Sequence, residues 1–243
     1  MQNQQQHCEG CGAFSPTQKF HRNDRSGSCD EFAGIGILWG VALRFSSSGD
    51  QQLIQIVDAA LADTKRRSGD WLACRKGCTA CCIGVFAINQ LDAARLQRGL
   101  GGLARRDPAR AEAVRGRARE AVARLSSEFP GDPATGLLGR TRKDRQRFET
   151  FANDEPCPAL DPVEGTCDLY EFRPMTCRTF GPPVRGEGGL GICELCYQGR
   201  AEKEIAACEM VPDPDDLECR LLRDLERRSG KSGDTIVAFV LAT

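Results

Sequence analysis

The chain has 243 residues, 14 of them cysteine, with a formal net charge of −1 and 6% aromatic residues. That length supports a hydrophobic core, so disulfides are not required for folding, and the near-neutral charge offers no global field for nucleic acid or an anionic membrane. An apolar content of 40% with few aromatics implies an Ala/Leu/Val interior and a mostly α-helical fold with little or no β.

Residues 1–50 read as a poorly ordered segment ahead of a cysteine-cluster domain over 51–243. They open on a Gln-rich run (QNQQQ) and end in Ser46-Ser47-Ser48-Gly49. Cys8-x2-Cys11, His21 and Cys29 have a loose spacing for a zinc knuckle. The longest apolar stretch, 35–45 (IGILWGVALRF), is shorter than the roughly 20 residues of a bilayer span. It also lacks the basic n-region of a signal peptide directly before it. The expected compartment is the cytoplasm, where thiols stay reduced, with no membrane and no nucleic-acid partner.

A helix is expected over 51–67, with Leu53, Ile54, Val57, Ala60 and Leu61 on one face. The first cysteine motif follows: CRKGCTACC, holding Cys74, Cys78, Cys81 and Cys82. The apolar run 83–88 reads as an extended connection. Asn89 caps a helix through Leu100, stopped by Gly101-Gly102. Asp107 and Pro108 open the clearest helix, whose apolar side comprises Ala111, Val114, Ala118, Ala121, Val122, Leu125 and Phe129. Residues 130–139 read as a loop and 141–151 as a short helix.

From 155 to 199 periodicity vanishes, Pro and Gly become frequent, and five cysteines appear: Cys157, Cys167, Cys177, Cys193 and Cys196. Such a stretch lacks the periodic apolar residues to fold by burial alone, and a metal crosslink would hold it. A helix is expected over 201–210. Another starts at Asp213-Pro214 and ends near Gly230. The tail 235–241 (TIVAFVL) is a strand or a buried terminal segment.

Clustered cysteines in a reduced compartment point to metal. Cys74-x3-Cys78-x2-Cys81 suits structural zinc or an iron–sulfur cluster. The two histidines, His7 and His21, both lie near the N-terminus, so the central site is mostly thiolate, with Asp168 or Glu171 as carboxylate helpers. Thiolate sites select zinc, iron–sulfur or Cu(I) over magnesium or calcium. Cys81 and Cys82 are adjacent, and neighbouring side chains diverge. Either each serves its own metal in a two-metal site, or one is a core residue or reactive thiol. Among the nearby cations Arg75, Lys76, Arg173 and Arg178, Arg178 has the stronger claim to support the site, while Arg75 and Lys76 read as solvated surface. Cys208 and Cys219 read as core residues on helices.

These motifs resemble those of the YkgJ-like CxxCxxCC family of zinc- or iron-chelating cysteine-cluster proteins. The first motif carries one extra residue between Cys74 and Cys78. The second half matches through Cys157-Pro158-Ala159-Leu160, Gly165-Thr166-Cys167-Asp168-Leu169-Tyr170-Glu171 and Arg173-Pro174-Met175-Thr176-Cys177-Arg178. The likeness spans about residues 70–200, with a helical insert between the halves. It implies a zinc or iron cofactor and carries ligand roles onto Cys74, Cys78, Cys81, Cys82, Cys157, Cys167 and Cys177, with Cys193 or Cys196 completing an eight-thiol set. Some relatives are linked to flagellin lysine N-methylation, and the resemblance extends to an iron–sulfur centre ascribed to them.

Three functions therefore compete: a metal chelator of one or two ions without catalysis, an iron–sulfur enzyme of the methylase type, and a zinc-stabilised module that binds a partner protein. No phosphate loop or nucleophile–histidine pair stands in the sequence, and Gly34-x-Gly36 is too short to count as a nucleotide fingerprint.

Overall fold

The computed structural model describes residues 47–75, 77–186 and 189–243. The expected zinc knuckle, the disorder expected before Ser47, the apolar stretch 35–45 and Lys76 lie outside the described residues. Within them the protein is mostly α, with two small two-stranded sheets. No described helix is long and apolar enough to cross a membrane.

Helix α1 (Ser47–Ser68) covers the expected 51–67. It starts early enough that Asp50, 1% exposed, is already part of the packed body. Helix α2 (Gln90–Arg106) begins where Asn89 Oδ1 accepts the Asp92 amide at 2.9 Å. It does not stop at Gly101-Gly102, as expected, but runs through them. An interior glycine costs only about 1 kcal/mol of helix propensity, and continuing the helix buries Leu103. Gly99 is also required by packing, because a Cβ there would lie 2.6 Å from Phe172.

Helix α3 (Pro108–Leu125) follows at once, its first turn capped by Asp107 Oδ1 accepting the Arg110 amide. The expected loop 130–139 contains a short antiparallel hairpin, β1 (Gly131–Asp132) and β2 (Leu137–Leu138). Helix α4 (Arg142–Thr150) opens on a capping box between Thr141 and Asp144. The cysteine-rich stretch holds α5 (Met175–Thr179) and the hairpin of β3 (Val184–Gly186) with β4 (Gly189–Gly191). Helix α6 (Glu202–Ala206) is half the length expected. Helix α7 (Leu217–Ser229) ends at Gly230, whose φ of 67° is the left-handed geometry glycine accepts. The tail is α8 (Val237–Leu241), a buried terminal helix rather than a strand; only Thr235 before it pairs strand-like, with Ile88.

Helix α2 is the axle, packing against α3, α7 and α8, while α8 also lies on α3. Their shared core includes Ile88, Leu96, Leu100, Val114, Ala118 and Leu241. Each large aliphatic side chain buried there contributes roughly 1.5–3 kcal/mol. A buried charge network joins α1, α2 and α5. Arg95, 1% exposed, bonds Asp50 at 2.6 Å and Asp92 at 2.5 Å, and Arg98 also reaches Asp50. Asp92 Oδ1 in turn accepts the Met175 amide at 3.1 Å. The first turn of α5 is thereby tied to the helical axle.

Candidate metal centre

Both cysteine motifs meet because the chain on either side of the insert pairs backbone to backbone. The first motif turns at Gly77 and tightens into a 3-10 turn over Ala80–Cys82, where the Cys82 amide bonds Thr79 O at 2.8 Å. Next, the Cys157 amide donates to Cys82 O at 2.7 Å, Ile83 bridges Pro156, and the Gly84 amide donates to Glu155 O at 2.9 Å. The apolar run 83–88 is thus extended, as expected, and it docks the second motif.

Beyond Cys157 the chain reverses. Leu160 and Cys167 form an antiparallel bridge, and the Asp168 amide bonds Ala159 O at 2.8 Å. Helix α3 clamps this reversal. Arg117 donates to Pro158 O at 2.9 Å and to Asp168 at 2.6 Å, and Arg110 also bonds Asp168, whose side chain is fully buried. Asp168 is therefore committed to two arginines and is not a spare metal ligand. Glu171 is exposed. Cys177 is delivered on α5.

The result is one cavity lined by Cys74, Cys78, Cys81, Cys82, Cys157, Cys167 and Cys177, together with Leu96, Tyr170, Arg173 and Val237. Seven of the nine cysteines singled out in the sequence therefore converge. Cys193 and Cys196 do not line it. They lie beside it, buried with Leu72, Tyr197 and Cys208. Cys74 touches both groups, since it lines the cavity and packs against this second cluster. Gly181 makes that possible: a Cβ there would meet Cys74 Cβ at 2.5 Å. Of the two cysteines assigned to the core, Cys208 is buried, but Cys219 is exposed on the outer face of α7.

Sulfur chemistry distinguishes the positions. Burial, reinforced by Cys81 and Cys78, pushes the Cys74 thiol up to about 11. Burial likewise raises Cys167 to about 11 and Cys157 to about 12. Cys81 is moved the other way, because the Cys177 and then the Cys82 thiol donate to its sulfur; those two donors are raised in return. The expected divergence of adjacent Cys81 and Cys82 does not occur. The tight 3-10 turn instead brings both sulfurs to one cavity within mutual hydrogen-bonding reach. Outside the cavity, Cys196 donates to Cys193, which lowers Cys193 to about 7.

Among the described residues, no three Cys, His, Asp or Glu side chains stand closed around a single point as an ion requires. The thiols ring the cavity, and Cys82 and Cys177 bond Cys81 within it. The donor set nevertheless fits a thiophilic metal, since it is sulfur throughout and the buried carboxylate next to Cys167, Asp168, is already taken.

Arg178 does not support the site as expected. It points to Asp58 at 2.5 Å and to Glu171 O at 2.7 Å. Arg173 lines the cavity instead. Sequence reasoning also missed Asp92, Arg117 and Gly181, whose roles here depend on Met175, Pro158 with Asp168, and Cys74, all distant in the chain and without a local signal.

A thiol-lined cavity assembled from two separated motifs on a helical frame defines a cysteine-cluster protein. The chain belongs to the CxxCxxCC family, described as a "putative zinc- or iron-chelating domain", whose model matches residues 73–209. No curated protein matches the chain, and no solved structure does.

Proposed function

We propose that the protein chelates one or two zinc or iron ions in a reducing compartment such as the cytoplasm, through the thiolates of Cys74, Cys78, Cys81, Cys82, Cys157, Cys167 and Cys177. Cys193 and Cys196 stand next to Cys74 as reserve donors for a second ion. The observation that carries this reading is the convergence of seven cysteines, from two well-separated segments, on one cavity. Core thiols have no reason to gather so, and disulfide pairing is not seen: all the described cysteines are free. Metal would supply the crosslink that burial alone does not give the segment 155–199. The sulfurs then exchange their mutual hydrogen bonds for the ion and release protons as they bind.

Anaerobic purification with elemental analysis and a visible spectrum tests the proposal. Stoichiometric zinc in a colourless protein, or iron with broad visible absorption, is the expected result. The iron outcome would bring forward the iron–sulfur enzyme reading. Cys81→Ser and Cys177→Ser should each lose the metal. Near-zero zinc and iron in the wild-type protein would end the proposal.

A further inference from the structure

Arg173 stands apart from the other arginines packed around the cysteine segment. Arg110 and Arg117 share Asp168, Arg124 pairs with Glu155, and Arg178 pairs with Asp58. Among the described residues none gives Arg173 a carboxylate. Its Nε is buried and meets no acceptor among the described residues; the Arg178 Nε shares that state, but the rest of that guanidinium is held by Asp58 and Glu171 O, whereas Arg173 faces the cavity. A buried donor without a protein acceptor is costly and calls for a partner, which a ligand in the cavity would supply.

The side chain is also held in place. Arg173 precedes Pro174, which confines its backbone to the extended region, and its φ of −60° and ψ of 147° lie there. Its amide bonds Tyr170 O at 3.4 Å. The guanidinium lies 4.0 Å from the centre of the Tyr170 ring, a stacking contact that suits a planar cation. Thus fixed, it lines the thiol cavity beside Cys74, Cys81 and Cys167. Arg75 lines the same cavity but is exposed, and among the described residues it bonds the Ala73 carbonyl.

We infer that Arg173 is the positioning cation of the centre: stacked on Tyr170, it donates its free Nε–H to a metal-bound sulfur and offsets the negative charge of the thiolate set. The inference rests on the metal-chelating reading above. A site of four thiolates and one divalent ion is formally dianionic, and among the described residues Arg173 is the half-buried cation that the fold holds against it. Hydrogen bonds to ligating sulfur orient the ligand and tune the metal, and their loss typically costs 10- to 100-fold in affinity.

The test compares wild type, Arg173→Gln and Arg173→Lys as full-length, metal-free protein titrated with zinc against a chromophoric chelator, and with cobalt to read the sulfur-to-metal charge-transfer bands. Arg173→Gln should weaken zinc roughly 10- to 100-fold and shift the cobalt bands. Arg173→Lys should recover part of the affinity, which a purely structural defect would not allow. Equal zinc affinity and unchanged bands in Arg173→Gln, while Cys81→Ser loses metal, would overturn the role of Arg173 and leave chelation intact. Should Cys81→Ser keep its metal, the chelation reading itself fails. Wild-type protein labelled with 15N-arginine gives a readout that does not depend on the affinity of any variant. The Nε–H signal missing from Arg173→Lys should move on zinc addition, and a stationary signal overturns the inference.

Discussion

The helical frame and the cysteine segment are built on different physics. In the frame, α2, α3 and α8 interlock through aliphatic side chains spaced three and four residues apart, and Val114, Ala118 and Leu241 are fully buried. In the segment 155–199, backbone turns, arginine clamps and sulfur contacts replace that periodic burial. The first kind of order rests on burial, and among the buried residues of its shared core the segment supplies only Ala159 and Leu169. The second borrows its shape from the frame, through Arg110 and Arg117 on α3 and Asp92 on α2, and has donors left over for a ligand. A fold that separates the two tasks can keep its stability in one place and its chemistry in another.

Breaking the joint between them should have the largest effect. Asp92→Ala strips a buried carboxylate from Arg95 and from the Met175 amide, and removing one partner of a buried pair costs about 3–5 kcal/mol. Urea denaturation of the metal-free protein should show that loss, and metal uptake should fall with it as α5 loses its anchor. Leu100→Ala, confined to the frame, should cost about 2–5 kcal/mol by the same measurement. Metal stoichiometry should stay unchanged in whatever remains folded. Were Leu100→Ala to abolish metal binding at temperatures where helicity persists, the division between the two regions would be wrong.

Asp168→Asn acts on the segment alone. It weakens charged hydrogen bonds from the partly exposed Arg110 and Arg117 and should cost about 1–2 kcal/mol. Limited proteolysis should then cut within 155–199 sooner than in wild type, at an unchanged rate in α2 and α3. The mildest probe is pH. Burial lifts Cys74, Cys157 and Cys167 above the ordinary thiol value of 9.0. For an acid raised on folding, the contribution to stability is complete below the unfolded value and is lost as pH climbs through the folded one. The metal-free protein should therefore weaken between about pH 9 and the folded values of about 11 and 12. The same sign makes metal binding tighten as pH rises toward that range, with protons released, measurable by calorimetry in buffers of different ionisation enthalpy.

Much of the frame is legible in the order of the residues. Asn89 and Asp107 announce helix starts through side chains that accept amides a turn ahead, and the apolar face of α3 follows from its spacing. The departures have physical causes. Gly101-Gly102 reads as a stop because the burial of Leu103 is invisible in sequence. The TIVAFVL tail has strand-forming residues but becomes α8, because a groove between α2 and α3 accepts a helix there. For the site, residue type and motif single out nine cysteines, of which seven line the cavity, and nothing local marks Cys193 and Cys196 as the two that lie outside it. Sequence favours Arg178 over Arg173 only because Arg178 adjoins Cys177, and adjacency in the chain does not say which way an arginine points.

By itself, the sequence determined a helical protein with sulfur donors in two groups, because helix periodicity, capping and residue chemistry are local properties. Tertiary structure alone decided that Cys157 docks on the Cys82 carbonyl, that Cys193 and Cys196 stand outside the cavity, and that Asp168 is spent on arginines while Arg173 faces the cavity. Those outcomes turn on which distant groups desolvate and satisfy one another, a contest settled only when the whole chain packs.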